Sequence, residues 1–474
     1  MISGRGIMGL LAFAAAMPAL GSSDPESCID TTFADGGLFR LDVGGRANVG
    51  WSPQGIDRQN GKWIVGGVGG TSTRPLFLVL RLNDDGSLDP TFGDAGTVEV
   101  DVGPDNQELE SVRVLHDASL LLGGAAADVV PGEQQIAFVR LGVDGQSPRS
   151  YLPHFLPSPE LINGVLPLAD GGVLLAGQGR TRGGDYNLFV LQVDADGGLT
   201  PEFGDAGISE IDWGSGDEFG GAITLDPSGN VLVPGVVRSP LSFDFGLARL
   251  NPSGQLDRTF ADAGYVSLEF LGGFDSCNAT AAQADGKPLC AGSFDLPDGG
   301  TGLAVVRFTT SGALDFEFAD GGVAVFDFGP GANLRALVVR DEDQLIVAGG
   351  SARGDAGTLD ALVLWLQPNG RVAFNGQQRR DWSGGRDDVV HTLRYDESGR
   401  LIVFGEVGAS GGNDVGVMRL VRCPSVEVEP QPAPKRRVLT VGCACSEGGS
   451  VFVLGVLALV FRALTPRERA PSTH

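Results

Sequence analysis

Lysine occurs only three times in 474 residues (Lys62, Lys287, Lys435), and histidine and methionine four times each. Acids outnumber Lys and Arg by 59 to 34, which gives a formal charge of −25. Such a chain lacks the cation clusters that neutralise phosphates, so nucleic acid is excluded as a partner. The four histidines, His116, His154, His391 and His474, are scattered without metal-ligand spacing. No G-x-S-x-G, H-E-x-x-H or P-loop occurs. These gaps assign no catalytic residue, cofactor or metal, and the expectation is a chain that is not an enzyme. The main apolar runs, at 7–17 and 451–461, are short for a membrane span. What abounds is glycine, 74 residues, with charged residues at only 20%. That balance suits many short strands joined by tight turns.

The two ends differ from the middle. Residues 1–21 combine an early arginine, an apolar core and a small-x-small site at Ala19 to Gly21, the layout of a secretory signal peptide. Residues 22–28 are a short polar segment. Residues 423–441 are Pro-rich, as in an extended spacer, and 442–474 hold Cys443 and Cys445, a short apolar segment and basic residues. Six cysteines in an exported chain permit disulfides.

Between them lies a repeat. "IDTTFADGG" (29–37), "LDPTFGDAG" (88–96), "LTPEFGDAG" (199–207), "LDRTFADAG" (256–264) and "LDFEFADGG" (314–322) share one pattern. Their phenylalanines are Phe33, Phe92, Phe203, Phe260 and Phe318, expected to anchor blade packing. A decayed copy falls at Tyr151 and a weak one at Phe374. Arg81, Arg140, Arg249, Arg307 and Arg419, with Gln192 and Trp365 as exceptions, form a second marker in the same register. A turn followed by an apolar run ending in glycine also recurs once per unit. Each unit reads as four short strands with no room for a long helix. Seven units of about 57 residues over 29–422 predict an all-β, seven-bladed β-propeller, with an open solenoid as the lesser alternative.

The pattern, best preserved in "RLNDDGSLDPTFGDAG" (81–96), resembles the delta-60 repeat of secreted and surface proteins from myxobacteria and their relatives. The resemblance covers 29–422 and implies an exported, propeller-like protein; it brings no catalytic residue. The order of Cys443 and Cys445, apolar segment and basic end resembles the C-terminal sorting signal called MYXO-CTERM. That resemblance implies processing near one of these cysteines and attachment at the cell surface or outer membrane, through a lipid on a cysteine.

Ring closure requires the first and last units to meet. In the repeat frame Cys28 and Cys423 fall close together, which predicts a disulfide between them. For Cys277 and Cys290 a two-residue hairpin would place Cys290 opposite Ala281, so bonding needs a bulge; a bond and two buried thiols both stay open. The acids at 83–89 and 194–198 alternate as a calcium ligand set would, but the bidentate glutamate is missing, and turn formation is the favoured role. The Asp after each repeat aromatic (Asp35, Asp94, Asp205, Asp262, Asp320) is expected to cap a turn or to pair with the recurring Arg. The whole predicts a monomeric, surface-displayed binding or structural module for an extracellular glycan or protein. The alternative is a glycan hydrolase or lyase with acids such as Asp387 and Asp388 at the channel mouth.

Overall fold

Short apolar segments closed by Asn, Asp and Gly turns fold as antiparallel strands, because the turns reverse the chain before a helix could form. Each unit reverses three times and makes a four-stranded sheet. The computed structural model describes residues 28–421, apart from 43–54, 72–73, 104, 128–133, 152–159, 182–183, 195–196, 214–215, 240–241, 262, 272 and 410–411. Within the described residues the chain is all-β and forms a seven-bladed propeller.

Blade one consists of Ile56–Gln59, Lys62–Thr71, Arg74–Leu82 and Thr97–Val100, paired in that order. Blades two, three, five and six repeat this from first strands Asp105–Val114, Glu160–Pro167, Ser276–Ala282 and Asn333–Val339. In blade four the first strand is broken into Glu218–Gly220 and Thr224–Leu225. The break falls at Gly221, where a Cβ would lie 2.5 Å from the Asn278 carbonyl oxygen of the next blade. Blade seven takes Val389–Tyr395, Leu401–Ala409 and Gly412–Leu420, and is completed from the other end of the chain by Leu38–Leu41. First strands of successive blades touch, and those of blades seven and one touch as well, so they surround the axis of a closed ring. The core is divided in the same way. Seven apolar clusters each bridge two consecutive blades, and the one at the seam joins Phe33, Phe404 and Val417 to Ile56, Trp63 and Leu80.

The repeat motif is the hook between blades. Phe33, Phe92, Phe203, Phe260 and Phe318 are at most 2% exposed, a burial worth roughly 2–3 kcal/mol each. Over four of these rings lies the guanidinium of the strand-ending arginine: Arg419 over Phe33, Arg81 over Phe92, Arg249 over Phe260 and Arg307 over Phe318, at 4.6–4.8 Å. The same arginines reach the next blade, where Val143, Thr310 and Pro368 offer backbone carbonyls at 2.7, 2.7 and 2.5 Å. The residue after each Phe adds an inter-blade amide bond, for example Gly93 N to Asp144 O at 2.9 Å and Ala319 N to Asn369 O at 2.7 Å. The next blade's turn glycine lies flat on the ring. A Cβ at Gly145 would come within 2.7 Å of Phe92, and one at Gly197 within 2.7 Å of Tyr151, so Tyr151 fills the place of the decayed copy. Phe374 lies in the blade-six strand Val372–Arg380, and its side chain is outside the described residues. Gly96 and Gly207, four residues after Phe92 and Phe203, have φ of 104° and 96°, a left-handed conformation that glycine alone adopts without strain.

Two alternatives left open by the sequence are decided. The Arg does not pair with the Asp after the aromatic. It pairs with the Asp three residues before it: Asp30, Asp89, Asp257 and Asp315, at 2.8, 2.6, 2.8 and 2.8 Å. The chain doubles back over the strand end at that earlier residue, whereas Asp94 and Asp205 close a tight turn through their backbones with Thr97 and Ile208. Asp262 is outside the described residues. Second, Cys277 and Cys290 are bonded, with Cα atoms 5.8 Å apart. The strands slip by one residue between Cys277 and Ala279, and Cys290 faces Thr280. This is the bulge that the pairing required.

Cys28 is disulfide-bonded, and its carbonyl accepts Val421 N at 2.8 Å. Cys423 lies outside the described residues. We propose Cys423 as its partner, since in sequence it follows by two residues Val421, whose amide the Cys28 carbonyl accepts. Non-reducing peptide mapping is expected to recover the 28–423 pair, and free thiols at both positions would refute it. A stability test of the hook is also direct. Arg249→Met leaves Asp257 buried without its cation and is expected to cost about 3 kcal/mol. Asp320→Ala, two residues after a repeat aromatic, is expected to stay within about 0.5 kcal/mol in the same denaturation assay.

Candidate functional site

The ring has two unlike ends. One carries the repeat turns. The other carries the connections from each fourth strand to the next first strand, together with the hairpins between second and third strands.

At the repeat-turn end the polar groups serve the ring itself. Asp85 Oδ1 accepts Ser87 N and Oγ, and Asp194 Oδ1 accepts Gly198 N. Asp85 and Asp194 thus hold their own turns, and among the described residues no cluster of three or more His, Cys, Asp or Glu suits a metal. Asp84 has a different task at the seam. It pairs with Arg58 at 2.7 Å and Arg400 at 3.1 Å, and Arg419 lies 3.6 Å away. Burial opposes ionisation of Asp84, but the hydrogen bonds and charges of Arg58 and Arg400 outweigh it and keep its pKa low. Asp89 follows the same logic: burial would raise it, yet Lys62, Thr91 and Arg81 hold it well below the usual carboxylate range. Its sister acids Asp30, Asp257 and Asp315 are lowered against burial in the same manner.

Near the axis and the opposite end several acids are buried. Gln107, Asp275 and Asp388 stand at equivalent positions where the first strand begins and accept Val102 N, Phe270 N and Trp382 N at 2.8, 2.8 and 2.6 Å. Glu218 occupies the same position in blade four. Neither of its oxygens makes a well-formed hydrogen bond, although the Trp213 amide is near enough to oppose its shift slightly. Burial, reinforced by Asp212, Asp217 and Asp185, pushes Glu218 up to about 8. Burial pushes Asp275 to about 7, and it raises Asp388. Asp388 also accepts Ser383 N and Gly408 N, while Asp387 accepts Leu359 N at 2.7 Å. Both residues named for glycan chemistry are therefore tied into blade junctions. His391, 1% exposed, faces Glu406 Oε1 at 3.2 Å and Arg335 Nη1 at 3.5 Å, and burial lowers its pKa.

A strip that departs from the repeat crosses blades three to five at this end. Tyr186 and Phe219 have ring centroids 6.1 Å apart, and Phe243 and Phe274 5.3 Å apart. Asp217 links the two pairs, accepting Tyr186 N at 3.1 Å and binding Arg238 at 3.0 Å, and Arg238 lies 5.9 Å from the Phe243 centroid. Phe274 is 47% exposed although it packs against Phe243, while Tyr186, Phe219 and Phe243 are half-buried. The residues equivalent to Tyr186 and Phe243 are Pro75, Gln134, Thr301, Leu359 and Asn413, so the aromatics are confined to two adjacent blades. Comparing hairpin positions across units would have exposed this strip; the search for shared motifs passed over it because it is what the units do not share.

The raised acids set a pH dependence with a definite sign. A carboxyl whose folded pKa exceeds its unfolded value stabilises fully below the unfolded value and loses that contribution as pH rises through the folded one. For Glu218 the window runs from 4.5 to about 8. Glu218→Gln, which installs the group that Gln107 already provides in blade two, is expected to equal the wild type in Tm below pH 4.5 and to exceed it by a few degrees at pH 8. A Tm difference that does not change with pH would contradict this.

Three segments, 58–92, 242–260 and 283–318, match the family model described as a domain of unknown function (DUF5122) beta-propeller, and they end on Phe92, Phe260 and Phe318. No curated protein matches the chain. Solved structures similar to it include the polysaccharide lyase Uly1, at 12% identity over 84% of this chain and 95% of that one, TM-score 0.48. Another is a PL25 ulvan lyase bound to -[GlcA(1-4)Rha3S]-, at 11% over 83% and 96%, TM-score 0.45. A third is PorZ, a bacterial surface component of the type-IX secretion system of Porphyromonas gingivalis, at 9% over 78% and 46%, TM-score 0.43. A family-43 glycoside hydrolase and glucose dehydrogenases are similar as well. The expectation that the chain is not an enzyme is corrected by these comparisons, because enzymes are prominent among the similar scaffolds, and it is withdrawn. At such low identity none of these likenesses assigns an activity to this chain. The hook at the matched segments, the seven blades and the family model together make it a β-propeller repeat protein.

Proposed function

We propose that the chain is an exported, envelope-displayed propeller whose ring presents a ligand-binding surface on blades three to five. The carrying observation is the distribution of irregularity. The hook residues recur from unit to unit and serve blade contacts, whereas the aromatic strip of Tyr186, Phe219, Phe243 and Phe274 stands at positions that vary and lies at one place on the ring. Aromatic side chains left accessible beside placed polar groups are the usual make-up of a recognition surface. Export is supported by the Cys277–Cys290 disulfide, since such bonds persist in oxidising compartments. The signal peptide at 1–21, the delta-60 resemblance of 29–422 and the MYXO-CTERM resemblance around Cys443 and Cys445 support display at the cell surface.

The full chain is expected to bind isolated cell envelopes or members of a soluble glycan panel, and Phe243→Ala/Phe274→Ala is expected to weaken that binding at least tenfold with little change in Tm. Phe316→Ala, which removes a 77% exposed ring at the repeat-turn end, is expected to leave it intact. Release of reducing ends, followed in the same incubation, separates a surface that holds a glycan from one that also cleaves it. Undiminished binding by the double variant would refute the placement of the site.

A further inference from the structure

Resting on that reading of the site, we infer that the strip on blades three to five takes a cationic side chain, an arginine or lysine of a partner protein segment, seated on Phe274. Charge is the first ground. Asp185, Asp212, Asp217, Asp244 and Asp295 surround the strip, as the electrostatic effects on Glu218 and Asp275 record. Among the described residues two cations stand near them. Arg238 is paired with Asp217, and Arg180 donates Nε to the Gly184 carbonyl. An anionic partner would meet like charge here, and a cationic one is favoured in both encounter and register.

Ring geometry is the second ground. This chain already uses one recognition unit four times: a guanidinium 4.6–4.8 Å above a phenylalanine and ion-paired with an aspartate. The strip assembles the same parts in Phe243, Arg238 and Asp217, more loosely, at 5.9 Å and 3.0 Å. Beside them Phe274 offers a second ring, 47% exposed. Asp295 Oδ2 holds the Phe274 amide at 2.9 Å, which fixes a carboxylate next to that ring. A cation placed on Phe274 would meet both halves of the unit, a π-face and an acid.

The test uses the full exported chain and a (Gly-Ser-Arg)4 peptide, with its citrulline counterpart, which keeps the shape and most hydrogen-bond donors but not the charge. The arginine peptide is expected to bind at least tenfold more tightly than the citrulline one. Phe274→Leu, which keeps an apolar side chain without a π-system, is expected to lose affinity three- to tenfold, and Phe274→Trp to gain it. Asp341→Asn removes one exposed acid from blade six and is expected to have no effect. If Asp341→Asn weakens the peptide as much as Phe274→Leu does, diffuse attraction to an acidic chain explains the binding and the inference falls. Equal affinity for both peptides, with a neutral oligosaccharide lost on Phe274→Ala, overturns the inference and leaves the site standing. An envelope or glycan ligand indifferent to every change on the strip overturns both.

Discussion

The structure depends on one contact repeated around a circle: an arginine at the end of a strand, clamped by an aspartate, lying on a phenylalanine and reaching into the next blade. A four-stranded sheet alone is marginal, since its two faces need cover. The hook supplies that cover by fixing how far each blade rotates against its neighbour. It couples three unlike terms, burial of the ring, a desolvated ion pair and a backbone hydrogen bond across the junction. A buried ion pair is weak evidence of stability when isolated. Here the aspartate also caps its own turn, with Thr91 or Thr259 bound to its second oxygen, so most of its bonding capacity is used.

The same contact closes the ring. Arg419 and Asp30 are 389 residues apart in sequence and meet at 2.8 Å beneath Phe33. At the seam the fourth strand of blade seven, Leu38–Leu41, comes from the other end of the chain and pairs with Met418 to Val415, and Asp84 is drawn in by Arg58 and Arg400. The two acids that open the turn of "NDDGSLDPTFGDAG", Asp84 and Asp85, thus have separate meanings. Asp84 binds the last blade to the first, and Asp85 stabilises its own turn while its carbonyl accepts Ala34 N. With one end of the ring committed to these contacts, the other end is free to vary, and there the aromatic strip and the raised acids occur.

Much of the fold was legible in the sequence because its signals are local and repeated. The period, the blade count, the burial of Phe33 to Phe318 and the left-handed glycines all follow from spacing and turn chemistry. Tyr151 was identifiable as a decayed copy from spacing alone, and Gly197 against its ring bears this out. What spacing could not give is pairing across turns. Both Asp89 and Asp94 lie near Arg81 in sequence, and only the path of the chain decides between them. The Cys277–Cys290 bond depended on a one-residue slip that no local signal marked. The candidate site was least legible, because Tyr186, Phe243 and Phe274 acquire meaning only when hairpins from different blades are laid side by side. Asp387 and Asp388 looked available in sequence, yet each is engaged by backbone amides.

Amide hydrogen exchange on the intact chain tests the hook most directly. The amides of Gly93, Gly204, Ala261 and Ala319 each cross a blade junction, at 2.7–2.9 Å from their acceptors. If the hook holds the ring, these four exchange as slowly as the amides of the third strands and slow or quicken together when global stability is changed. Exchange at the rate of the exposed hairpins, or four unrelated rates, would contradict the account.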